Sequence, residues 1–137
     1  MLPKSHLIYG IIFASAVYLL SPLITLIPAL LILFGSVLID TDHYIWYVYK
    51  KKDWSLKNAY HYLKYNVEKI KTLMIFHTVE SHIIVGLIGW YLWPWFFYIL
   101  SGMLLHSGLD ILHLMKNKNL KYREFLLISV FKPTPLR

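Results

Sequence analysis

Two long stretches of this chain carry no charge. Between Lys4 and Asp40 there is no Lys, Arg, Asp or Glu, and from His82 to Leu109 there is again none. A domain folded in water needs charged side chains on its surface every few residues, so stretches this long point to lipid as their solvent. Composition agrees: 58% of residues are apolar and 15% charged, against about 45–50% and 25% in an ordinary soluble domain. That excludes a disordered chain, a coiled coil and a basic nucleic-acid-binding arm. The net charge of +7 lies outside the two stretches. It is carried by Lys50-Lys51-Lys52, by the stretch from Asp53 to Lys71 and by the tail from Lys116 onward. These are basic loops at a membrane surface, and no nucleic-acid partner is expected. At 137 residues the chain is read as a single membrane-embedded domain, 1–137.

Each charge-free stretch is interrupted by a proline turn. Ser21-Pro22 divides residues 7–20 from residues 23–39, and Trp93-Pro94-Trp95 divides residues 83–93 from residues 95–105. The expected fold is all-α and multipass. About four short transmembrane helices form two hairpins, joined by a juxtamembrane amphipathic helix over residues 55–72. Ser21 is the expected N-cap of the second helix, with Pro22 in its first turn, and Pro28 is expected to kink that helix without ending it. In the amphipathic helix Leu56, Ala59, Tyr60, Leu63, Val67 and Ile70 form the apolar stripe, with most lysines off it. Such a helix either packs as an ordinary solvated helix or lies on anionic lipid. A cleavable leader is the other reading of the N-terminus, but no small-residue cleavage site closes the first apolar run.

The chemistry-bearing residues gather at one end of these hairpins. His6 opens the first span. Asp40, Asp42 and His43 follow the second. His77 and His82 open the third, with Glu80 between them. His106, Asp110 and His113 end the fourth. Ionisable groups at membrane depth are costly and are functional by default. With no cysteine in the chain, a metal would be held by imidazole and carboxylate, a donor set that suits a divalent transition metal, zinc foremost, better than calcium. Acidic residues at the end of an apolar helix oppose its dipole, so Asp40 and Asp42 are costly as mere turn residues. His106 and Asp110 stand at i, i+4 and share a helix face. His77 and His82 share none unless a helix begins between them, where Thr78 or Ser81 could cap it. Asp42, His77, His82, His106 and Asp110 are the leading ligands. Asp40 and His43 follow as ligands or orienting groups, and His6 is either a ligand or an interfacial histidine. Glu80 is the candidate general base. His61 is read as a solvated residue.

At these residues the chain resembles the family of membrane-bound metal-dependent hydrolases of bacteria and archaea, whose members include a LexA-regulated inner-membrane protein. Ser5-His6-Leu7, the segment from Gly35 to His43, the segment from His77 to Ile83, and Gly102 through His106 to Asp110 follow its motifs in order. Thr78 stands where the family has Arg, and Ile39 where it has Pro. Some relatives resemble zinc-dependent phospholipase C in their His/Asp ligand set. The resemblance implies a multipass helical fold and metal-dependent hydrolysis, and it implies no substrate. With no Ser, Cys or Thr in a nucleophile elbow, a metal-bound water is the natural nucleophile, and the membrane setting makes an interfacial, lipid-like or small-molecule substrate the expected one. The basic loops place the site on the cytoplasmic face of the cell membrane. The alternative is a non-enzymatic membrane protein, either a metal-ion transporter or a bundle stapled by metal.

Overall fold

Proline and cap residues set the helix ends. The computed structural model of the chain describes residues 3–66, 74–118 and 125–126. It is all-helical: α1 is Pro3–Leu20, α2 Leu26–Leu38, α3 Thr41–Lys51, α4 Leu56–Asn66, α5 Val79–Tyr91 and α6 Phe96–Lys116, with a single 3₁₀ turn at Ile75–His77 before α5. Among the described residues there is no strand.

The turn at Ser21-Pro22 is present, but α2 starts later than the sequence reading expects. Thr25 is its N-cap, and the first intrahelical bond runs from Ala29 N–H to the Thr25 carbonyl. Pro28 therefore lies in the first turn, where an N–H would have no intrahelical partner, and the expected kink does not arise. At the second turn α5 ends at Tyr91 and α6 begins at Phe96, with Pro94 between them.

By length and composition, two helices could cross a bilayer: Leu26–Lys51 and Phe96–Lys116. The first is α2 and α3 together. Ile39 and Asp40 keep right-handed helical dihedrals. The Asp40 N–H bonds the Val37 carbonyl, and the His43 N–H bonds the Asp40 carbonyl. The backbone thus tightens for one turn and resumes. This removes part of the electrostatic cost expected of the acidic pair, because Asp40 is the N-cap of α3 and Asp42 lies in its first turn, where negative charge is favourable. α5, at 13 residues, is only about 20 Å long, short of a hydrocarbon core of about 30 Å. The apolar helix Lys4–Leu20 also falls below full-span length.

α2 and α6 form the central pair; α1 flanks α2, and α5 flanks α6. The central contact is backbone against backbone. A Cβ on Gly35 would lie 2.2 Å from the Ile99 carbonyl oxygen, and one on Gly102 would lie 2.0 Å from that of Ile32. The close approach on α6 is thus made at Gly102, whereas Gly108 faces open space.

Beyond the site end of the bundle, α3 and α4 form a rigid hairpin. Lys52 closes α3 in the left-handed region (φ 55°), its N–H bonded to the Val48 carbonyl. Asp53 then accepts hydrogen bonds from the Ser55 N–H (2.9 Å), the Asn58 amide (2.9 Å) and the Tyr47 hydroxyl (2.7 Å). These donors hold its carboxyl below the usual carboxylate range. Ser55 caps α4, its hydroxyl accepting the Asn58 N–H. Tyr62 packs on Trp46 and Tyr47. The amphipathic helix is thus present over Leu56–Asn66. Its expected continuation through Val67 and Ile70 lies outside the described residues.

The distribution of burial is the reverse of that in a water-soluble globule. Among the described residues, the buried polar side chains (His6, Ser36, Asp42, His77, Thr78, His106, Ser107 and Asp110) outnumber the buried hydrophobic ones, eight to seven. Large apolar side chains cover the outside: Ile8, Ile12, Leu26, Ile84, Trp90 and Leu104 are each more than half exposed. A surface of this kind is costly in water and ordinary in lipid.

Candidate metal centre

The polar interior is one cluster. His6 reaches it from the first turns of α1, Asp40, Asp42 and His43 from the α2–α3 junction, His77 from the 3₁₀ turn, and His106 and Asp110 from α6. The i, i+4 pair on α6 shares a face as expected, with His106 Nε2 3.5 Å from Asp110 Oδ2.

Hydrogen bonding fixes the tautomers. His106 Nδ1 lies 2.7 Å from the Ser36 carbonyl oxygen, which can only accept, so Nδ1 carries the proton and Nε2 presents a lone pair in the neutral ring. His77 Nδ1 lies 3.1 Å from Asp42 Oδ2, so the same argument leaves its Nε2 as an acceptor. Yet the two Nε2 atoms stand 3.2 Å apart. Asp110 Oδ2 is 3.6 Å from one and 3.5 Å from the other. Asp40 Oδ1 is 3.5 Å from His106 Nε2. Acceptors brought together in this way repel one another unless a cation or a proton lies between them.

The dimensions fit a small divalent ion. Tetrahedral donors about 2.05 Å from zinc are separated by about 3.3 Å, and His77, His106 and Asp110 form a triangle of 3.2, 3.5 and 3.6 Å. His6 adds a further observation. It is 2% exposed and stacks on His106 with ring centroids 3.7 Å apart. Its Nε2 pairs with Asp110 Oδ1 at 3.0 Å, whereas its Nδ1 makes no hydrogen bond among the described residues. A buried ring nitrogen without a hydrogen bond is costly unless it has another partner. In all, three overlapping groups could hold an ion: His6–Asp40–His106, Asp40–His43–His77 and His77–His106–Asp110.

A proton is the other way to satisfy the convergence. Asp42 and Asp110, 3.1 and 3.6 Å from the two ring nitrogens of His77, flank the imidazole that would carry it in the ion-free chain.

The structure reorders the expected ligands. Both Asp42 oxygens are already engaged: Oδ1 with His43 Nδ1 (2.7 Å), Oδ2 with His77 Nδ1 and the Phe76 N–H (3.1 Å). Asp42 thus orients two imidazoles, as carboxylates behind metal-bound histidines do, and belongs to none of the three groups, whereas Asp40 belongs to two. Replacing Asp42 by Asn should weaken metal affinity by about 10–100-fold without changing the content at saturating metal, a difference that a chelator competition titration would measure.

His82 is not brought to the cluster. α5 does begin between His77 and His82, with Thr78 as its N-cap, but His82 donates Nδ1–H to the Thr78 carbonyl (2.8 Å), and its Nε2 accepts from the Ser107 hydroxyl (3.2 Å). It ties α5 to α6. Glu80 stands in the first turn of α5, in none of the three groups. His113 lies in the last turn of α6 beside Asn117 (3.0 Å), and His61 is exposed on α4. The Ser36 carbonyl and Phe76 N–H are the site groups that sequence reasoning missed. Backbone atoms carry no residue signature, and only the small Gly35-Ser36 pair hints at a close approach there.

No family model, curated protein or solved structure matches this chain.

Proposed function

We propose that the chain is a membrane-bound, metal-dependent hydrolase, with four short helices in two hairpins and its site at the cytoplasmic face. The observation that carries the metal reading is the meeting of two imidazole lone pairs with Asp110 at tetrahedral spacing, with Asp40 3.5 Å from one of them. Zinc is the first choice for this donor set. A bound ion would supply a water nucleophile near neutral pH and polarise an ester. The chain's own residues supply the rest. Ser36 and Asp42 fix the rings. Asp40 and His43, with side chains 18% and 17% exposed, form the open side of the cluster, where a substrate enters and where a proton can be taken from water.

The membrane setting and basic loops support a lipid-like or interfacial substrate, with phosphoesters within that class. A second reading, a bundle stapled by metal, is favoured by the near-complete burial of His6, His77 and His106. The test is hydrolysis of fluorogenic carboxyl-ester and phosphoester lipids by the purified full chain in mixed micelles. The hydrolase reading expects turnover that chelator abolishes and zinc restores, and that Asp40→Ala loses. Metal-loaded protein inert to every ester leaves the stapled bundle.

A further inference from the structure

Beyond Asp42 and His43 in the first turn of α3, the α3–α4 hairpin takes no part in the metal cluster, yet it exposes a surface with a definite chemistry. Trp54 and Leu56 are 77% and 70% exposed. Along α4, Leu56, Tyr60 and Leu63 fall at i, i+4 and i+7 and form one apolar strip, and Lys57 and Lys64 stand one residue further round, along its border. One edge of the strip turns inward: Ala59 is 2% exposed, and Tyr62 next round the helix is packed against α3. Leu56 therefore remains uncovered after the hairpin has formed, and Tyr60 and Leu63 are half-buried beside it. Residues 50–66 hold five lysines against one acid, Asp53, and that acid is already engaged by Ser55, Asn58 and Tyr47. An apolar strip bordered by cations matches a bilayer whose headgroups are anionic, with the apolar side chains inserted to the acyl boundary and the lysines among the phosphates.

We infer that the α3–α4 hairpin docks on anionic phospholipid, through Leu56, Tyr60 and Leu63 as the inserted strip and Lys57 and Lys64 as the headgroup contacts. The docking would hold the hairpin flat on the membrane beside the open side of the cluster. The inference shares the membrane setting of the proposed function, and its test separates the two.

The chain has no cysteine, so single cysteines can be introduced and spin-labelled in the full-length protein. One goes at Leu56, and a second, separately, at Leu104 on the exposed side of α6. Each protein is reconstituted in vesicles of phosphatidylcholine alone or mixed with phosphatidylglycerol. Collisional access to oxygen and to a water-soluble nickel chelate is then measured. At position 56 the access of the chelate should fall several-fold when phosphatidylglycerol is present. It should recover in high salt or when Lys57→Gln and Lys64→Gln are combined. Equal, open access in both lipids would overturn the inference, because the strip would then face water. Equal protection in both with spin–spin broadening would overturn it too, because a second copy of the chain would cover the strip. Position 104 reports the membrane setting by itself: it should be open to oxygen and closed to the chelate in both lipids, and free access of the chelate there would reject that setting whatever position 56 shows.

Discussion

Replacing His106 by Ala should strip most of the metal from the purified protein. His106 is fully buried, its Nε2 faces His77, Asp110 and Asp40, and it belongs to two of the three candidate groups. Removing a donor that contacts the ion should exceed the 10–100-fold loss typical of an orienting residue such as Asp42. The same substitution leaves the Ser36 carbonyl without its donor and His6 without its stacking partner. The melting temperature should therefore fall even in chelator, and fall further relative to wild type when zinc is added, because only wild type gains stability from the ion. Asp110→Ala should act in the same way, whereas His61→Ala, on the exposed face of α4, should change neither metal content nor melting. Elemental analysis and thermal melts in detergent read both effects.

The second large effect is steric. Gly102→Val should unfold the bundle or cost at least about 3 kcal/mol. A Cβ there meets backbone on the facing helix, 2.0 Å from the Ile32 carbonyl oxygen and 2.7 Å from the Ser36 nitrogen. Backbone cannot swing aside as a side chain can, so α2 and α6 must separate. Separation also moves Ser36 from His106 and the α2–α3 junction from Asp110, so metal binding should be lost together with stability. Gly108→Ala is the control on the same helix. With nothing within 4 Å of its added methyl, it should change stability by no more than about 1 kcal/mol. Melting of the two variants side by side would separate crowding from helix propensity.

Much of this was legible in the sequence, because charge exclusion and proline turns act locally. The two uncharged stretches located the apolar helices, and Ser21-Pro22 and Trp93-Pro94-Trp95 located the turns. The i, i+4 spacing of His106 and Asp110 placed both on one face, and the His77–His82 spacing left Thr78 or Ser81 as the cap of a helix between them, of which Thr78 is the one used. What was not legible depends on tertiary geometry. Asp40 and Asp42 are two residues apart, and only the path of the backbone through Ile39–Asp40 decides that Asp40 faces His106 while Asp42 faces His77 and His43. His82 looked equivalent to His77 in type and setting, but the helix beginning at Val79 rotates it toward Ser107. Pro28 read as a kink because the start of α2 was placed at Ser21-Pro22. The chain instead spends residues 21–25 in the turn, and that proline sits where its missing N–H costs nothing.

The measurement that bears most directly on the central claim is elemental analysis of the detergent-purified wild-type chain, read together with its melting in chelator and in added zinc. The geometry of the His6–Asp40–His77–His106–Asp110 cluster predicts about one or two divalent transition-metal ions per chain. It also predicts a melting temperature that drops in chelator and recovers with zinc. A wild-type protein free of metal, whose melting responds to neither, would contradict the account and leave the buried histidines and aspartates as helix-to-helix hydrogen bonds and proton-bearing pairs.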